Sequence, residues 1–405
     1  MAVNIRPIEH EEFPAFARAN GTAFGYEPVP ERMEDTMTLL EFDRTLAAFE
    51  DGDIVGTTAI FSFDTTTPGG ALPTAGVTWV SVRPTHRRQG ILTQIMRRQL
   101  SDVHEREEPV ATLWASESVI YGRFGYGLAA DGLDLEIARE HTGLAHAPEV
   151  SGRCRIVETD EALRTWPRVY ERILPSVPGL NSRNETWWTC KSLSTFEFGR
   201  PVGTRFLVQY EEDGEPLGYA RYRVKGDSQL GVPTGTVIVQ ELMAATDAAY
   251  AALWQYVFGV DLVSTVHGNL RRVDEPLFWM LADPRRLARR RHDTLWVRVL
   301  DVARALEGRR YAAEGAVVLD VRDSFCPWVE GRFALEGAAE GARCRPSTKD
   351  ADVTLTAADL GAALLGGVPL RTLARAGRVE GDASALARAD AMFSWDPAPW
   401  CAEVF

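Results

Sequence analysis

Up to residue 145, the spacing of apolar positions switches between that of helices and that of strands. Apolar residues three and four apart predict helices over 11–23, 30–40 and 91–103. Shorter alternating or apolar runs predict strands over 4–8, 46–50, 54–63, 77–82 and 110–114, and a strand pair within 126–137. This order predicts a mixed sheet that is flanked by helices.

A second segment, from about residue 150 to 285, repeats this order more weakly. Helices are predicted over 162–173 and 248–258, and strands over 155–158, 206–210, 217–224, 236–242 and 262–266. We interpret this segment as a degenerate copy of the first domain.

A smaller α+β unit is predicted from about residue 294 onward. Its predicted strands are 296–301, 316–321 and 352–356, and its predicted helices are 357–365, 370–376 and 383–392. The basic junction 285–292 is interpreted as a solvated helix end or linker rather than a nucleic-acid patch. The predicted domains are therefore 1–147, 148–292 and 293–405.

Composition narrows the classes of function. With 405 residues, of which 45% are hydrophobic and 25% charged, the chain can bury several cores. Its 57 acidic and 44 basic residues give a net charge of −13, which disfavours nucleic acid as a partner and favours a cationic small substrate. No apolar run of about 18 residues predicts a membrane span, and the start lacks the pattern of a signal peptide. We therefore expect a cytoplasmic protein.

The cysteines and histidines predict no metal site. The histidines show no ligand spacing, and the five cysteines are odd in number and far apart, which fits neither a disulfide framework nor a zinc site. We expect buried or incidental thiols in a reducing compartment.

Candidate chemistry lies where the strand 77–82 leads into the helix that starts near Gly90. The connecting turn carries Arg87 and Arg88, whose side chains suit anions, and Gly90, which lets a backbone come close to a ligand. Free N–H groups at a helix N-terminus also attract negative charge. Together they predict a diphosphate cradle, with an ordinary basic helix cap as the alternative. No GxxxxGK[ST], GxSxG or HExxH motif occurs.

The sequence Arg87-Arg88-Gln89-Gly90-Ile91-Leu92 resembles the (Q/R)-x-x-G-x-(G/A) motif with which GCN5-related N-acetyltransferases bind acetyl-CoA, although Leu92 replaces the usual small residue. The longer string over 82–92, followed by Ile120-Tyr121-Gly122-Arg123-Phe124-Gly125-Tyr126-Gly127, resembles the Enhanced intracellular survival (Eis) acetyltransferases of actinobacteria. The resemblance covers the whole chain. It implies a mixed α/β (α+β) fold with tandem acetyltransferase domains, the second without cofactor, and a C-terminal domain similar to sterol carrier proteins.

The resemblance also implies site residues and an assembly. Acetyl-CoA would be held by Val80, Ser81, Val82, Arg87, Arg88, Gln89, Gly90, Ile91, Leu92 and Ser116. The acceptor would be bound by Phe24, Tyr26, Glu27 and Glu403. No metal is implied, and the protein would be a homo-hexamer.

Acetyl transfer to an amine needs an oxyanion donor, a general acid and a general base. By resemblance, the Trp79 N–H is the oxyanion donor, Tyr126 the acid and the C-terminal carboxylate of Phe405 the base. A phenol with a pKa of about 10 can protonate a thiolate, and a desolvated α-carboxylate can accept a proton. From the residues alone, Tyr126 equally suits a turn, and most chain ends fray.

We therefore predict an acetyl-CoA-dependent N-acetyltransferase of cationic amines such as aminoglycosides. One alternative is a protein lysine acetyltransferase, and another is a lipid carrier with a vestigial cofactor site. The intact Arg87, Arg88, Gly90 and Tyr126 argue against the vestigial site.

Overall fold

A computed structural model describes residues 3–194, 196–197, 200–201 and 204–405 of the chain. The N-terminal strands are β1 (Asn4–Arg6), β2 (Leu46–Glu50), β3 (Asp53–Thr67), β4 (Gly70–Val82), β5 (Val110–Trp114) and β6 (Gly127–Ala138). The N-terminal helices are α1 (Phe13–Phe24), α2 (Pro30–Leu39), α3 (Ile91–Glu105) and α4 (Ser118–Tyr121). The predicted strand pair within 126–137 is wrong, because this segment forms the single strand β6.

The middle of the chain repeats the arrangement of sheet and helices. Its strands are β7 (Arg153–Ile156), β8 (Phe196–Glu197), β9 (Arg200–Pro201), β10 (Arg205–Glu212), β11 (Glu215–Lys225), β12 (Ser228–Gln229), β13 (Val232–Pro233), β14 (Gly235–Ala244) and β15 (Val263–Arg271). Its helices are α5 (Thr159–Ile173), α6 (Glu185–Trp187), α7 (Asp247–Phe258) and α8 (Leu277–Met280).

The C-terminal part is a separate small sheet with helices on it. The strand that precedes it, β16 (Ala288–Val299), belongs to the large sheet of the first two domains. The strands of the small sheet are β17 (Gly315–Arg322), β18 (Gly331–Ala338), β19 (Gly341–Pro346), β20 (Val353–Thr356) and β21 (Glu380–Gly381). The helices are α9 (Val302–Glu307), α10 (Ala357–Leu364), α11 (Leu370–Arg375) and α12 (Ala383–Phe393). The small sheet has the strand order β19-β18-β17-β20-β21.

The first two domains share one sheet through β16. Within the described residues the strand order is β1-β2-β3-β4-β5-β16-β6-β15-β14-β11-β10-β7. β16 lies antiparallel between β5 and β6, so that Val297 pairs with both Thr112 and Gly127. The opposite edge of β6, from Leu133 to Ala138, pairs with β15 of the second domain. Neither domain can therefore complete its sheet without the other.

The interpretation of 285–292 as a linker or helix end is right only for Arg285 and Arg286, which end a short 3-10 helix (Pro284–Arg286). Residues from Ala288 onward already belong to β16, so the predicted division at 292/293 falls inside a strand. The basic side chains are exposed, as expected, and two of them pair across the sheet: Arg290 with Asp134 at 2.8 Å, and Arg291 with Asp131.

The C-terminal domain packs directly on the shared sheet. A single apolar core extends from Phe16 of α1 and Leu100 of α3 to Leu319 of β17 and Leu360 of α10. At the contact of α10 with β6, a Cβ on Gly127 would lie 1.7 Å from the Ala358 carbonyl oxygen, so only glycine permits this approach. Among the described residues, no helix is long and apolar enough to cross a membrane.

Candidate active site

The first feature of the site is the gap between β4 and β5. These two parallel strands pair only where Thr74 to Gly76 face Val110 to Thr112. β4 then continues to Val82 while it moves away from β5, so the wedge between them opens toward the N-terminus of α3. The gap lies along the end of the strand predicted over 77–82. It leaves the backbone of β4 on this side without a neighbouring strand, so that this backbone can pair with a ligand.

A β-bulge lies at the start of this gap. Thr57 pairs with Ser81 and Ala59 with Thr78, so Trp79 and Val80 together face one residue of β3. Trp79 has a φ of +54°, which is an unfavourable conformation for a bulky residue.

Two buried polar side chains hold this bulge. The Trp79 carbonyl oxygen accepts hydrogen bonds from the Thr57 hydroxyl at 2.7 Å and from the Asn20 side-chain amide at 3.1 Å. The Trp79 ring stacks on Phe16 of α1, with centroids 5.7 Å apart. The Ser81 hydroxyl lies 2.7 Å from that of Thr57 and completes the buried group. Sequence reasoning missed Asn20, although an asparagine on the buried face of α1 beside Phe16 and Ala17 was a signal for it.

The turn before α3 has the geometry of an anion cradle. Arg88 and Gly90 adopt positive φ values of 63° and 81°, and a Cβ on Gly90 would meet nothing within 4 Å. The Gly90 N-cap provides no side-chain hydrogen bond to the helix, so the first N–H groups of α3 remain for a ligand. Arg87 ties the turn to the fold by donating to the Ala23 carbonyl at 3.1 Å and to the Val82 carbonyl at 3.4 Å.

The other predicted cofactor residues surround this turn. Arg88 and Gln89 are exposed, whereas Ile91 is buried, and Val80, Val82 and Leu92 are half-buried. His86 lies in the same turn, with Nε2 2.9 Å from a carboxylate oxygen of Glu50. Ser116 is exposed just beyond β5.

The equivalent turn of the second domain is occupied by the chain itself. There, the Thr246 hydroxyl accepts a hydrogen bond from the Ala249 N–H at 3.1 Å and so caps α7. β14 and β15 pair only as far as Val239 and Gly268, which opens a second gap. Arg271 enters it and donates to the Leu242 carbonyl at 3.0 Å. These contacts support the interpretation that the second domain holds no cofactor.

Tyr126 lies in the apolar core at the start of β6. The side chain is 1% exposed, and among the described residues its hydroxyl has no hydrogen-bond partner. Its ring meets that of Tyr121 edge to face, with centroids 5.9 Å apart. Burial raises the pKa of Tyr126, and the nearby Arg298 only partly opposes this. The phenol therefore stays protonated and has a proton to donate.

The C-terminal tail passes from the second domain onto the first. Trp400 donates its backbone N–H to the Pro178 carbonyl at 2.8 Å, and the Cys401 sulfur accepts a hydrogen bond from the Trp114 indole N–H at 3.4 Å. Phe405 is 8% exposed, and its ring meets Phe63 of β3 edge to face at 5.2 Å. The end of the chain is thus buried rather than frayed.

A cavity of about 360 Å³ lies on this face of the sheet. Aromatic rings of Phe61, Phe63 and Trp187 form one part of its wall. Polar side chains form the rest, and they include Thr38, Glu41, Ser62, Ser182, Asn184 and Thr186. Because Phe405 packs on Phe63, the tail lies directly behind this wall.

The predicted acceptor residues fall into two groups. Phe24, Tyr26 and Glu27 are exposed at the end of α1. The Tyr26 hydroxyl donates to the Asn20 side-chain oxygen at 2.8 Å, so Tyr26 is connected through Asn20 to the Trp79 bulge. Glu403, by contrast, has both carboxylate oxygens bound: Arg183 Nε lies 3.0 Å from Oε1, and Trp187 Nε1 donates to Oε2 at 2.7 Å.

Known proteins are similar to this chain in sequence and in domain content. Models of the acetyltransferase (GNAT) domain match residues 4–129 and 179–300, and a sterol carrier protein domain model matches residues 302–402. The chain is 40% identical over 404 residues to an N-acetyltransferase of Streptomyces avermitilis, which covers 99% of each chain. It is 35% identical over 363 residues to the N-acetyltransferase Eis of Mycobacterium tuberculosis, which covers 85% of this chain and 84% of that protein.

A solved structure agrees with the sequence matches. The crystal structure of Eis1 from Mycobacterium abscessus is similar with a TM-score of 0.86 and 31% identity, and the match covers 99% of this chain and 100% of that chain. The fold and the matches define the chain as a GCN5-related N-acetyltransferase, with two such domains and a C-terminal sterol-carrier-like domain. It belongs to the Eis family of N-acetyltransferases.

Proposed function

We propose that this enzyme transfers the acetyl group of acetyl-CoA to amines of cationic small molecules, such as aminoglycosides. The observation that carries the cofactor site is the difference between the two helix N-termini. The N-terminus of α3 is uncapped behind Gly90, whereas Thr246 caps the N-terminus of α7. At α7 the Thr246 hydroxyl already takes the Ala249 N–H, whereas at α3 no capping side chain competes for the N–H groups that would bind a diphosphate.

Several residues would hold acetyl-CoA in the first domain. Arg88 and the N–H groups from Gly90 onward would bind the diphosphate, and the unpaired backbone from Val80 to Val82 would pair with the amides of the pantetheine arm. Gln89, Ile91, Leu92 and Ser116 would line the path. The cofactor supplies an acetyl thioester, in which the thiolate is the leaving group.

The protein's own groups would then manage charge and protons. When the amine nitrogen attacks the acetyl carbon, the Trp79 N–H would donate to the oxygen on which negative charge develops. The C-terminal carboxylate of Phe405 would accept the proton that the amine loses. As the carbon–sulfur bond breaks, Tyr126 would donate its proton to the sulfur, which leaves as the thiol.

The acceptor would be bound by Phe24, Tyr26 and Glu27, as the resemblance implies, within reach of the carboxylate of Phe405. Its positive charge would suit the acidic balance of the chain, which has a net charge of −13. Acetylation would remove a positive charge from an antibiotic and so weaken its binding to RNA phosphates. By the same resemblance, we propose a homo-hexamer, which light scattering would report as six chains of 44.8 kDa.

A thiol-release assay tests the proposal. Acetyl-CoA is mixed with the enzyme and one acceptor from a panel: an aminoglycoside, a polyamine, a lysine-containing peptide, or a neutral amine. We expect the highest kcat/KM with the aminoglycoside. Higher values with the peptide would establish a protein lysine acetyltransferase instead, and a chain that binds no acetyl-CoA but does bind lipid would be a carrier.

A further inference from the structure

A buried arginine connects the second domain with the end of the chain. Arg183 has a side chain that is 1% exposed, and it forms ion pairs with Glu241 at 2.8 Å and with Glu403 at 3.0 Å. Its guanidinium also lies over the ring of Tyr170, at 4.1 Å from the centroid. A buried guanidinium between two carboxylates can hardly move, because each displacement would leave a charge without its partner.

Trp187 completes the hold on the tail. Its indole N–H donates to the second oxygen of Glu403 at 2.7 Å, and its ring packs edge-on against Phe63. Phe63 in turn contacts Phe405. A few residues upstream, the Pro178 carbonyl accepts the hydrogen bond from the Trp400 N–H at 2.8 Å. The segment from 178 to 187 therefore grips the tail at two points, on either side of Cys401.

We propose that Arg183 and Trp187 are positioning residues. They hold Glu403 so that the chain end is fixed on the acceptor face of the first domain, by which we mean the side where Phe24, Tyr26 and Glu27 would bind the amine. Only Val404 separates Glu403 from Phe405, so this grip limits how far the terminus can travel. This assigns the second domain a part in the reaction although it has no cofactor site of its own. It also makes Glu403 a support of the terminus rather than a ligand of the acceptor.

This inference rests on the proposed role of the terminal carboxylate as the base, but it makes a separate physical claim. Most chain ends fray and are open to exopeptidases. An end that is held by Arg183 and Trp187 should resist them, whatever its carboxylate does in the reaction.

The variant that tests the grip is Glu403→Ala. It removes the contacts that Arg183 and Trp187 make with the tail. Arg183 stays paired with Glu241, so that no buried charge loses every partner. Glu403→Gln keeps an acceptor oxygen for the Trp187 N–H, so its rate of Phe405 release and its kcat should lie between those of Glu403→Ala and the parent. The matched control is Glu215→Ala, which breaks the exposed pair with Arg172 in the same domain.

Two measurements are made on each variant of the full-length enzyme. Carboxypeptidase digestion followed by mass spectrometry gives the rate at which Phe405 is released, and steady-state assays give kcat and the KM for acetyl-CoA. For Glu403→Ala we expect release at least tenfold faster, kcat at least tenfold lower and an acetyl-CoA KM within twofold of the parent. Glu215→Ala should change none of these.

The outcomes separate the two claims. Unchanged release of Phe405 in Glu403→Ala would overturn the positioning role. Faster release with an unchanged kcat would establish the grip and reject the terminal carboxylate as the base. If Glu403→Ala does not fold, Trp187→Phe removes the indole donor while it keeps an aromatic ring beside Phe63, and it must show the same accelerated release for the inference to stand.

Discussion

The Thr57 hydroxyl donates a hydrogen bond of 2.7 Å to the carbonyl oxygen of Trp79, at the point where β4 bulges. The bulge gives Trp79 a φ of +54°, and its peptide group is held in this orientation from inside the protein. Thr57 and Asn20 therefore hold the peptide group between Trp79 and Val80, which starts the proposed pantetheine path and adjoins the Trp79 N–H that we propose as the oxyanion donor.

Thr57→Val should loosen this backbone without changing the side-chain shape. Because one buried hydrogen bond contributes about 1 kcal/mol, we expect kcat to fall by about five- to tenfold. Steady-state kinetics checks this, with Thr22→Val as the control, since the Thr22 hydroxyl bonds only to the exposed end of α1. An unchanged kcat in Thr57→Val would show that the bulge does not depend on this contact.

Tyr126→Phe should keep acetyl-CoA binding and lower kcat by about a hundredfold, because a positioned general acid contributes at least this much. Binding is measured by calorimetry and turnover by thiol release. Equal turnover in parent and variant would remove Tyr126 from the mechanism.

The pH dependence supplies a second check on Tyr126. Burial raises the pKa of this phenol, so the proton-donating form persists at high pH. In a group with a raised pKa, function is present below that pKa and is lost only above it. The kcat of the parent should therefore show no loss that Tyr126 causes below about pH 10. An alkaline limb near pH 8 that vanishes in Tyr126→Phe would contradict this.

Arg88→Ala should weaken acetyl-CoA binding while leaving kcat nearly unchanged. Arg88 is exposed in front of α3, so its contribution should be largely electrostatic, and the rise in the acetyl-CoA KM should be about tenfold at low salt and smaller at high salt. The additional change Arg87→Ala should raise the KM further, since Arg87 ties the turn to Ala23. Arg98→Ala, on the exposed face of the same helix, is the control. A KM that salt and Arg88→Ala both leave unaltered would remove this side chain from the cradle.

Adding three residues after Phe405 should lower kcat by about a hundredfold or more, because it moves the carboxylate away from the acceptor face. The same residues added before Met1 serve as the control. Full activity of the C-terminally extended enzyme would eliminate the terminal carboxylate as the base.

The turn that we propose as the cradle was predictable as a strand-to-helix connection because it is local. Arg87, Arg88 and Gly90 are contiguous, and strand, turn and helix follow one another within a few residues. The helices α1, α2, α3 and α7 were likewise predicted to within about two residues at each end, since their apolar spacing is regular.

The rest depends on pairings between distant parts of the chain. Glu403 meets Arg183 across 220 residues, and Asn20 meets Trp79 across 59. Composition cannot show that β16 enters the first domain, because its basic first half hides the alternation of a strand. β18 and β19 were missed for a similar reason: glycine, short and charged residues interrupt their apolar pattern.

The central claim is that the turn before α3 binds the diphosphate of the thioester cofactor. A crystal structure with bound coenzyme A tests it most directly. We predict that the diphosphate lies against the N–H groups from Gly90 onward and that the pantetheine arm enters the gap between β4 and β5. Coenzyme A bound elsewhere, with this turn empty, would contradict the account.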